Sequence, residues 1–300
     1  MIPIRTLFFA IRPRFLLLSI LLVCLGASLA GFYGAWHWGA FLLCLAGLVL
    51  LHISANVLND YFDYTSGIDL ATQRTPFNGG SGLLNAGLLT PKQTLRLALA
   101  AFALATPIGG YFVAKIGYSL LPLFLLGSVF VVFNTSHLCK LGFGLGELSA
   151  GLGLGALPVF GTAWIIHGTP MLDFIYASVP SAVWVFNLLL LNEFPDEQPD
   201  KRGGRKTLVV QLGFRQAQSL YSILNIAAYL WIVGCVGVGV MPAQGLLALL
   251  SLPLAAKAMR LSRKPDYRPG GDFVQAQAAN VGLVLSGHGL LALGYYWATA

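Results

Sequence analysis

Charged residues are scarce in this chain. They make up 10% of its 300 residues, whereas a soluble globular domain usually carries about a quarter. Hydrophobic residues reach 57%, and the mean hydropathy is +0.75. This composition excludes a disordered chain, an ordinary nucleic-acid-binding protein and a soluble enzyme with a charged surface. The sequence therefore predicts a protein of the lipid bilayer, whose net charge of +7 is first of all a signal of membrane topology.

Cysteine motifs are also lacking. The four cysteines lie far apart among apolar or small residues, and no Cys-x-x-Cys pair occurs among Cys24, Cys44, Cys139 and Cys235. This pattern is typical of core packing and argues against a disulfide framework or a zinc site.

Long hydrophobic runs, in contrast, are abundant. A membrane helix needs about 20 mostly apolar residues. Nine runs approach that length, at 15–31, 38–59, 95–114, 120–137, 147–167, 174–192, 217–238, 242–259 and 273–297. We therefore predict an all-α polytopic membrane protein with nine transmembrane helices, forming a single domain over residues 1–300.

The basic residues support this prediction. With nine spans, 17 of the 18 basic residues fall on one side, in the amino-terminal tail and in every second connection, and Lys115 alone falls on the other. Because Lys and Arg gather in cytoplasmic loops, we predict a cytoplasmic amino terminus and an outside carboxy terminus, in a bacterial or archaeal plasma membrane. An even number of spans would scatter these charges across both faces.

Acidic residues cluster where two predicted helices reach the cytoplasmic side. Near the end of the second, Asn56, Asn59, Asp60 and Asp63 stand at positions i, i+3, i+4 and i+7, which is one face of a helix. His52 lies one turn deeper on the same face. Oxygen-bearing side chains therefore form a stripe at the membrane interface.

The sixth predicted helix repeats this pattern. Asn192, Asp196 and Asp200 stand at i, i+4 and i+8, although Pro195 predicts a kink or an end to the helix. The chain reads Asn-Asp-Tyr-Phe-Asp at 59–63 and Asn-Glu-Phe-Pro-Asp at 192–196, and each segment is followed by glycine and then by a basic residue and Thr. We interpret the regions near 56–75 and 192–207 as copies of a degenerate internal duplication, each supplying half of one site.

Two facing acidic stripes favour a cation between them. Carboxylates at close range raise one another's pKa, and a divalent cation removes this repulsion. Carboxylate and amide oxygens suit Mg²⁺, which completes its coordination with water and substrate phosphate. The sequence thus predicts a diphosphate site at the membrane surface, with nearby cations from Arg74, Lys140, Lys201, Arg205 and Lys206.

Together the two motifs resemble those of the UbiA superfamily of intramembrane prenyltransferases. The resemblance rests on 56–63 with Gly-Ile-Asp at 67–69, and on 192–200 with Gly-Arg-Lys-Thr-Leu at 204–208. It extends to Arg-Pro-Arg-Phe-Leu at 12–16, and Gly-Leu-Gly-Glu at 144–147 looks most like the branch that prenylates 1,4-dihydroxy-2-naphthoate for menaquinone. The chain departs from the family pattern at 134–138, where Tyr and a Pro pair are usual, and at Pro195, where Arg is usual.

The resemblance implies a ring of nine helices around a central cavity that opens sideways to lipid. The loops after helices 2 and 6 would cap this cavity on the cytoplasmic side. The implied reaction transfers a polyprenyl group from its diphosphate to an aromatic ring. The expected partners are the polyprenyl diphosphate, an aromatic acceptor and membrane lipid, with no nucleic acid.

The resemblance also implies roles for individual residues. The catalytic residues would be Asp60, Asp63, Asp196 and Asp200. Mg²⁺ would be held by these four with Asn59 and Asn192. The diphosphate would be neutralised by Arg74, Lys140, Lys201 and Lys206. The acceptor would contact His52, Asn56 and Asn187.

Several alternatives stay open. His52 and Asn187 fit either an acceptor contact or a hydrogen bond between helices, and Glu147 is interpreted as an amino-terminal cap of the fifth helix. The acceptor alternatives are 4-hydroxybenzoate, homogentisate or a polar-lipid precursor. A transporter is a candidate of another class, but transporter ion sites lie near the bilayer midplane, whereas these acids cluster at helix ends. The sequence leaves the prenyl chain length and the oligomeric state undetermined.

Overall fold

The computed structural model describes residues 3–72 and 74–299, which form helices and no strand. Eight helices within these ranges are long and apolar enough to cross a membrane. We number them in chain order as α1 (Pro13–Phe32), α2 (Trp38–Thr65), α3 (Pro91–Ile116), α4 (Tyr118–Leu141), α5 (Leu145–His167), α6 (Leu172–Arg202), α7 (Phe214–Gly237) and α9 (Asp272–Trp297). Between α7 and α9, α8 consists of a 3₁₀ helix (Ala243–Ser251) that continues directly as an α-helix (Leu252–Leu261).

The all-α membrane architecture is confirmed, and eight of the nine predicted runs correspond to the eight apolar helices. The remaining run, 242–259, falls on α8. This helix, which changes from 3₁₀ to α geometry, is not among the eight. Whether α8 completes a ninth span stays a prediction.

The helices form one packed bundle. Helix α1 packs against α2, α5 and α9, so it contacts both ends of the helical chain and its middle. In lipid there is little hydrophobic force between helices, so close approach of backbones at small residues holds them together. A Cβ on Gly26 of α1 would stand 2.6 Å from the carbonyl oxygen of Val159 in α5, and one on Gly155 of α5 would stand 2.5 Å from that of Ser181 in α6. Larger residues at either position would push α5 away from α1 or from α6.

Two helices run past the predicted hydrophobic limits. α2 continues to Thr65, beyond the predicted end at 59, and α6 continues to Arg202, beyond the predicted end at 192. Pro195 interrupts α6 without ending it, because residues Phe194–Asp196 form one 3₁₀ turn before the α-helix Glu197–Arg202. Both acidic motifs are therefore carried on the last turns of long helices.

The connections after α2 and α6 pack against these helix ends. The first contains the short helix Ile68–Ala71 and a loop anchored by Leu83, Leu84 and Leu89, which pack with Ala10. The second contains the short helix Leu208–Leu212, capped by the Thr207 hydroxyl, which accepts a hydrogen bond from the Val210 N–H. Both connections are thus folded structure that can position side chains at the motifs.

Candidate active site

The ends of α2 and α6 share one cavity of about 300 Å³. Residues from α1, α2, α4, α5 and α6 line it, together with the loop at 77–80. Five of the six residues predicted to bind metal are among the lining residues, namely Asn59, Asp63, Asn192, Asp196 and Asp200. The folded chain therefore brings the two motifs together, although they are more than 120 residues apart in sequence.

In the first motif, the two aspartates face different partners. Asp63 accepts a hydrogen bond of 2.9 Å from Asn59 Nδ2, one turn earlier on α2, and pairs with Arg205 from the connection after α6. Asp60 is buried behind the loop, where it pairs with Arg12 and accepts hydrogen bonds of 3.2 Å from the Ser81 N–H. Asp63 thus faces the second motif, while Asp60 holds the loop.

In the second motif, Asp196 and Asp200 lie at the kinked end of α6. Asp200 is 1% exposed, and its Oδ1 accepts a hydrogen bond of 3.0 Å from Arg205 Nη1. Asp196 Oδ2 accepts one of 3.1 Å from Asn78 Nδ2 in the loop, but its buried Oδ1 has no hydrogen-bond partner. A further ligand at this point would satisfy that oxygen.

Two arginines supply the positive charge of the cavity. Arg205 bridges Asp63 and Asp200, so it joins the two motifs. Burial alone would lower the pKa of Arg205, but the charges of Asp63 and Asp200 outweigh it and raise the pKa above its ordinary value. Burial lowers the pKa of Arg12 to about 10, so its guanidinium stays charged at neutral pH. Both side chains line the cavity.

The four cations predicted to neutralise the diphosphate lie elsewhere. The side chains of Arg74, Lys140, Lys201 and Lys206 are exposed, and in the described ranges none of them lines the cavity. Arg74 packs across Gly79 and Gly82 on the outer side of the loop. Lys140 and Lys201 lie at the ends of α4 and α6, and Arg74 and Lys206 lie on connections. Arg12 and Arg205 line the cavity instead, and diphosphate binding by the four predicted cations stays a prediction.

Of the three residues predicted to contact the acceptor, two line the cavity. His52 is buried, with its Nδ1 2.8 Å from the Ser19 hydroxyl of α1, and the buried Nδ2 of Asn56 has no partner. Asn187 is not at the cavity: it is fully buried and donates a hydrogen bond of 3.0 Å to the Tyr221 carbonyl of α7. At about 100° per residue, Asn187 points roughly 140° away from Asn192 around α6, which explains its contact with a neighbouring helix.

Other polar residues at the site carried little or no signal in the sequence. Asn78 reaches Asp196 from the loop, and Gln277 of α9 donates a hydrogen bond of 3.2 Å to Asn192 Oδ1. Glu193 lines the cavity with its Oε2 buried and unpartnered. Only Glu193 lay within a motif, so its place beside Asn192 was the one available clue.

Glu147 lies in the first turn of α5, where a negative charge was predicted. Its Oε1 also accepts a hydrogen bond of 2.5 Å from the Leu208 N–H, at the first residue of the helix Leu208–Leu212. Glu147 therefore ties the start of α5 to the connection that carries Arg205.

The donor set suits Mg²⁺. Among the residues with described placement, no group of three or more His, Cys, Asp or Glu is already arranged as a metal-ligand set. Arg205 instead lies between Asp63 and Asp200, where a cation balances both carboxylates. Every candidate ligand is a carboxylate or amide oxygen, and Asp196 Oδ1 lacks a partner, which fits a hard cation that keeps water and phosphate in its shell.

Comparison with known proteins gives relatives over nearly the whole chain. The UbiA prenyltransferase family matches residues 19–281. The 1,4-dihydroxy-2-naphthoate octaprenyltransferase of Bacillus subtilis is 30% identical over 250 residues, which cover 83% of this chain and 79% of the relative. The enzyme of the same name from Haemophilus influenzae is 27% identical over 294 residues, covering 92% and 91%.

Solved structures show the same fold. The apo structure of a UbiA homologue from Aeropyrum pernix K1 matches with a TM-score of 0.69 and 19% identity, covering 91% of this chain and 96% of that one. A UbiA homologue from Archaeoglobus fulgidus bound to DMAPP and Mg²⁺ matches with a TM-score of 0.64 and 15% identity, covering 95% and 98%. The resemblance seen in the two aspartate motifs is thereby confirmed, and the chain belongs to the UbiA prenyltransferase family and is a membrane-embedded prenyltransferase.

Proposed function

We propose that this prenyltransferase transfers a polyprenyl group from its diphosphate to 1,4-dihydroxy-2-naphthoate, with Mg²⁺ bound between the two aspartate motifs. One observation supports the proposal above all: five oxygen-bearing residues of the two motifs line one cavity that also holds two largely buried arginines. The choice of acceptor is supported by relatives named for that activity at 25–30% identity. The choice of acceptor therefore follows from these relatives and not from the cavity residues.

The metal and the diphosphate would share the motif residues. Asn59, Asp60, Asp63, Asn192, Asp196 and Asp200 would hold Mg²⁺, which when bound supplies charge that stabilises the diphosphate leaving group. Arg12 and Arg205 would bind the phosphate oxygens. A guanidinium suits this because its planar fork can donate two parallel hydrogen bonds to a phosphate. In the ligand-free site both arginines pair with aspartates, and we expect them to leave these partners and pair with phosphate when the donor binds.

The reaction begins at the allylic carbon–oxygen bond of the donor. As this bond breaks, negative charge grows on the diphosphate, and fixed positive groups in a dry site stabilise it more strongly than water does. The allylic carbocation would form against apolar side chains that exclude water, including Phe130, Leu154 and Leu188. A ring carbon of the acceptor then attacks the cation, and the ring loses its proton or carboxylate.

The acceptor would lie beside the deeper part of the α2 stripe. The unpartnered Asn56 Nδ2 is available to donate to an acceptor oxygen, and His52 lies one turn further along the same face. The prenyl tail would leave the polar cavity sideways, through a second and more apolar cavity of about 520 Å³ between α2, α3, α4 and α5. The tail would thus remain in an apolar environment throughout.

The proposed topology has nine spans, with α8 as the eighth. The amino terminus and the motif ends of α2 and α6 would face the cytoplasm, in a bacterial or archaeal plasma membrane, and the carboxy terminus would lie outside. The two motifs occupy equivalent ends of α2 and α6, four helices apart, as expected for a degenerate internal duplication.

Aspartate substitutions test the catalytic site. Asp63→Asn and Asp196→Asn should each lower turnover by at least ~100-fold, because each removes a charge that binds the metal and leaving group. Asp173→Asn is a matched control, since Asp173 lies in the first turn of α6 at its opposite end. The three purified variants are assayed with a labelled prenyl diphosphate and Mg²⁺, and near-normal rates in either motif variant would contradict the assignment.

An acceptor panel tests the substrate. One labelled prenyl diphosphate is supplied with 1,4-dihydroxy-2-naphthoate, 4-hydroxybenzoate, homogentisate or a polar-lipid acceptor, with Mg²⁺ or with a chelator. We expect the greatest kcat/KM with the naphthoate and no product with the chelator. Failure with every aromatic acceptor would overturn the proposed function, and full activity in the chelator would overturn the metal site.

A further inference from the structure

The polar and apolar cavities meet at four residues. Leu48 and Leu51 of α2, Gly127 of α4 and Gly153 of α5 line both cavities. We call these four residues the junction. Under the proposed function, the diphosphate lies on the polar side of the junction and the far end of a long prenyl tail lies on the apolar side.

Gly153 leaves no room for a side chain. It lies in the segment Leu152–Ala156, where α5 widens into a π-helical turn. A Cβ on Gly153 would stand 2.9 Å from the Cβ of Phe130, which itself lines the polar cavity. Such π-turns are rare and often occur at functional sites. The absence of a side chain at Gly153 therefore lets α5 pack closely against Phe130 of α4, so the junction has little spare room on this side.

Gly127 faces open space. A Cβ built on Gly127 meets no atom within 4 Å, although α4 lies against both cavities at this point. A larger side chain at position 127 would therefore extend into the space between the cavities without displacing a neighbour. The other wall is formed by Leu48 and Leu51, which stand one turn apart on α2.

We infer that the junction of Leu48, Leu51, Gly127 and Gly153 determines the chain length of the prenyl diphosphate donor. A short donor fits within the polar cavity of about 300 Å³, whereas a longer tail has to pass the junction to reach the apolar cavity of about 520 Å³. The width of the junction then limits the use of long donors and does not affect the use of short ones. This inference rests on the proposed prenyl transfer and adds the residues that select among its donors.

The test compares donors of increasing length in the full-length purified protein. Wild type, Gly127→Leu and Gly234→Leu are assayed with dimethylallyl, geranyl, farnesyl, geranylgeranyl and octaprenyl diphosphates, using one acceptor and Mg²⁺. Gly234 is the matched control, because it lies within α7, a Cβ there also meets nothing within 4 Å, and it lines neither cavity. In Gly127→Leu, kcat/KM for the longest donor should fall by at least ~10-fold relative to the shortest donor that wild type uses. Gly234→Leu should keep the wild-type ratio.

Two further variants keep the test decisive. Gly127→Ala adds one methyl group and should shift the ratio in the same direction by a smaller factor, which matters if the leucine variant does not fold. Leu51→Ala widens the junction and should shift the ratio towards longer donors. Equal losses for all donors in Gly127→Leu, or an unchanged ratio in both Gly127 variants, would overturn the inference. If wild type transfers no prenyl group from any donor, the proposed function itself fails.

Discussion

Arg205 joins the two halves of the site through a single side chain. Its guanidinium pairs with Asp63 of α2 and Asp200 of α6, and all three groups are largely buried. Removing one partner from a buried ion pair leaves the remaining charge uncompensated, which typically destabilises a protein by about 3–5 kcal/mol. The residue therefore contributes to the stability of the ligand-free site and, under the proposed function, to the binding of diphosphate.

We predict that Arg205→Gln lowers kcat/KM by at least ~100-fold, the size expected when a group that stabilises developing charge is lost. It should also lower the melting temperature, and added Mg²⁺ should recover more of that loss than it adds to wild type, since the metal would neutralise Asp63 and Asp200. Turnover and thermal unfolding with and without Mg²⁺ measure both effects. Arg202→Gln is the control, because Arg202 is exposed at the end of α6, three residues before Arg205; equal behaviour of the two variants would contradict the prediction.

At this scale the acids could be predicted from the sequence, but of the two arginines only Arg205 was among the predicted cations, and its partners were not. Asn59, Asp63 and Asp196 follow helical spacing, so their shared faces are visible in the sequence. Arg12 reaches Asp60 over 48 positions, and Arg205 reaches Asp63 over 142. Such contacts depend on the path of the folded chain, and long flexible side chains near a motif give no indication of whether they turn inward.

The two motif helices illustrate what hydropathy alone misses. Their predicted ends fell where polar residues begin, yet α2 and α6 stay helical through the acidic turns. Within these turns Asp60, Asp63 and Asp200 are paired with Arg12 and Arg205, a balance of charge that hydropathy does not record. The π-helical segments Asn134–Leu138 and Leu152–Ala156 also gave no sequence signal, since the side-chain pattern of one widened turn hardly differs from that of an α-helix.

The loop after α2 owes its position to Gly80. This residue has a φ of +69°, and a Cβ on it would stand 2.8 Å from Asp60 Oδ1 and 3.1 Å from Arg12 Nη2. Gly87, in the same connection, has a φ of +67°, but a Cβ on it would meet nothing within 4 Å. Alanine at either position carries a similar backbone cost of roughly 1–2 kcal/mol. Comparing alanine substitutions at Gly80 and Gly87 therefore separates the effect of backbone strain from the effect of contact with the Asp60–Arg12 pair.

We predict that Gly80→Ala lowers prenyl transfer by at least ~10-fold, the loss expected when Asp60 and Arg12 are moved by about 1 Å. Gly87→Ala should stay within about a factor of two of wild type, while both variants lose similar thermal stability through their backbone cost. Turnover and melting temperature, measured side by side, check this. Comparable activity in the two variants would mean that the loop does not position the Asp60–Arg12 pair.

The arrangement of the whole molecule was only partly accessible from the sequence. Hydropathy located the helices, because each run is apolar over most of its length. The contacts of α1 with α9 and α5 could not be predicted from the sequence, since no local pattern records which helices pack together. The same holds for Asn187, whose contact with Tyr221 depends on the packing of α6 against α7.

The number of membrane crossings depends on α8. A 3₁₀ helix rises about 2.0 Å per residue and an α-helix about 1.5 Å, so its nine and ten residues span roughly 33 Å, enough for a hydrocarbon core of about 30 Å. Leu246, Leu250 and Leu252 are exposed on its surface, as expected for contact with lipid. Lys257 and Arg260 lie in its last turns, where long basic side chains can reach the membrane surface.

We therefore predict that α8 crosses the membrane and places the carboxy terminus outside. Reporters that are active only outside, or only in the cytoplasm, are inserted in the connection at 238–242, in the connection at 262–271 and at the carboxy terminus. The first and last positions should report the outside and the middle one the cytoplasm, because the basic residues at 263–268 belong on the cytoplasmic side. Insertions that keep prenyl transfer activity serve as the control for folding. If 238–242 and 262–271 report the same side, α8 does not cross, and the carboxy terminus then shares the cytoplasmic side with the motif ends of α2 and α6.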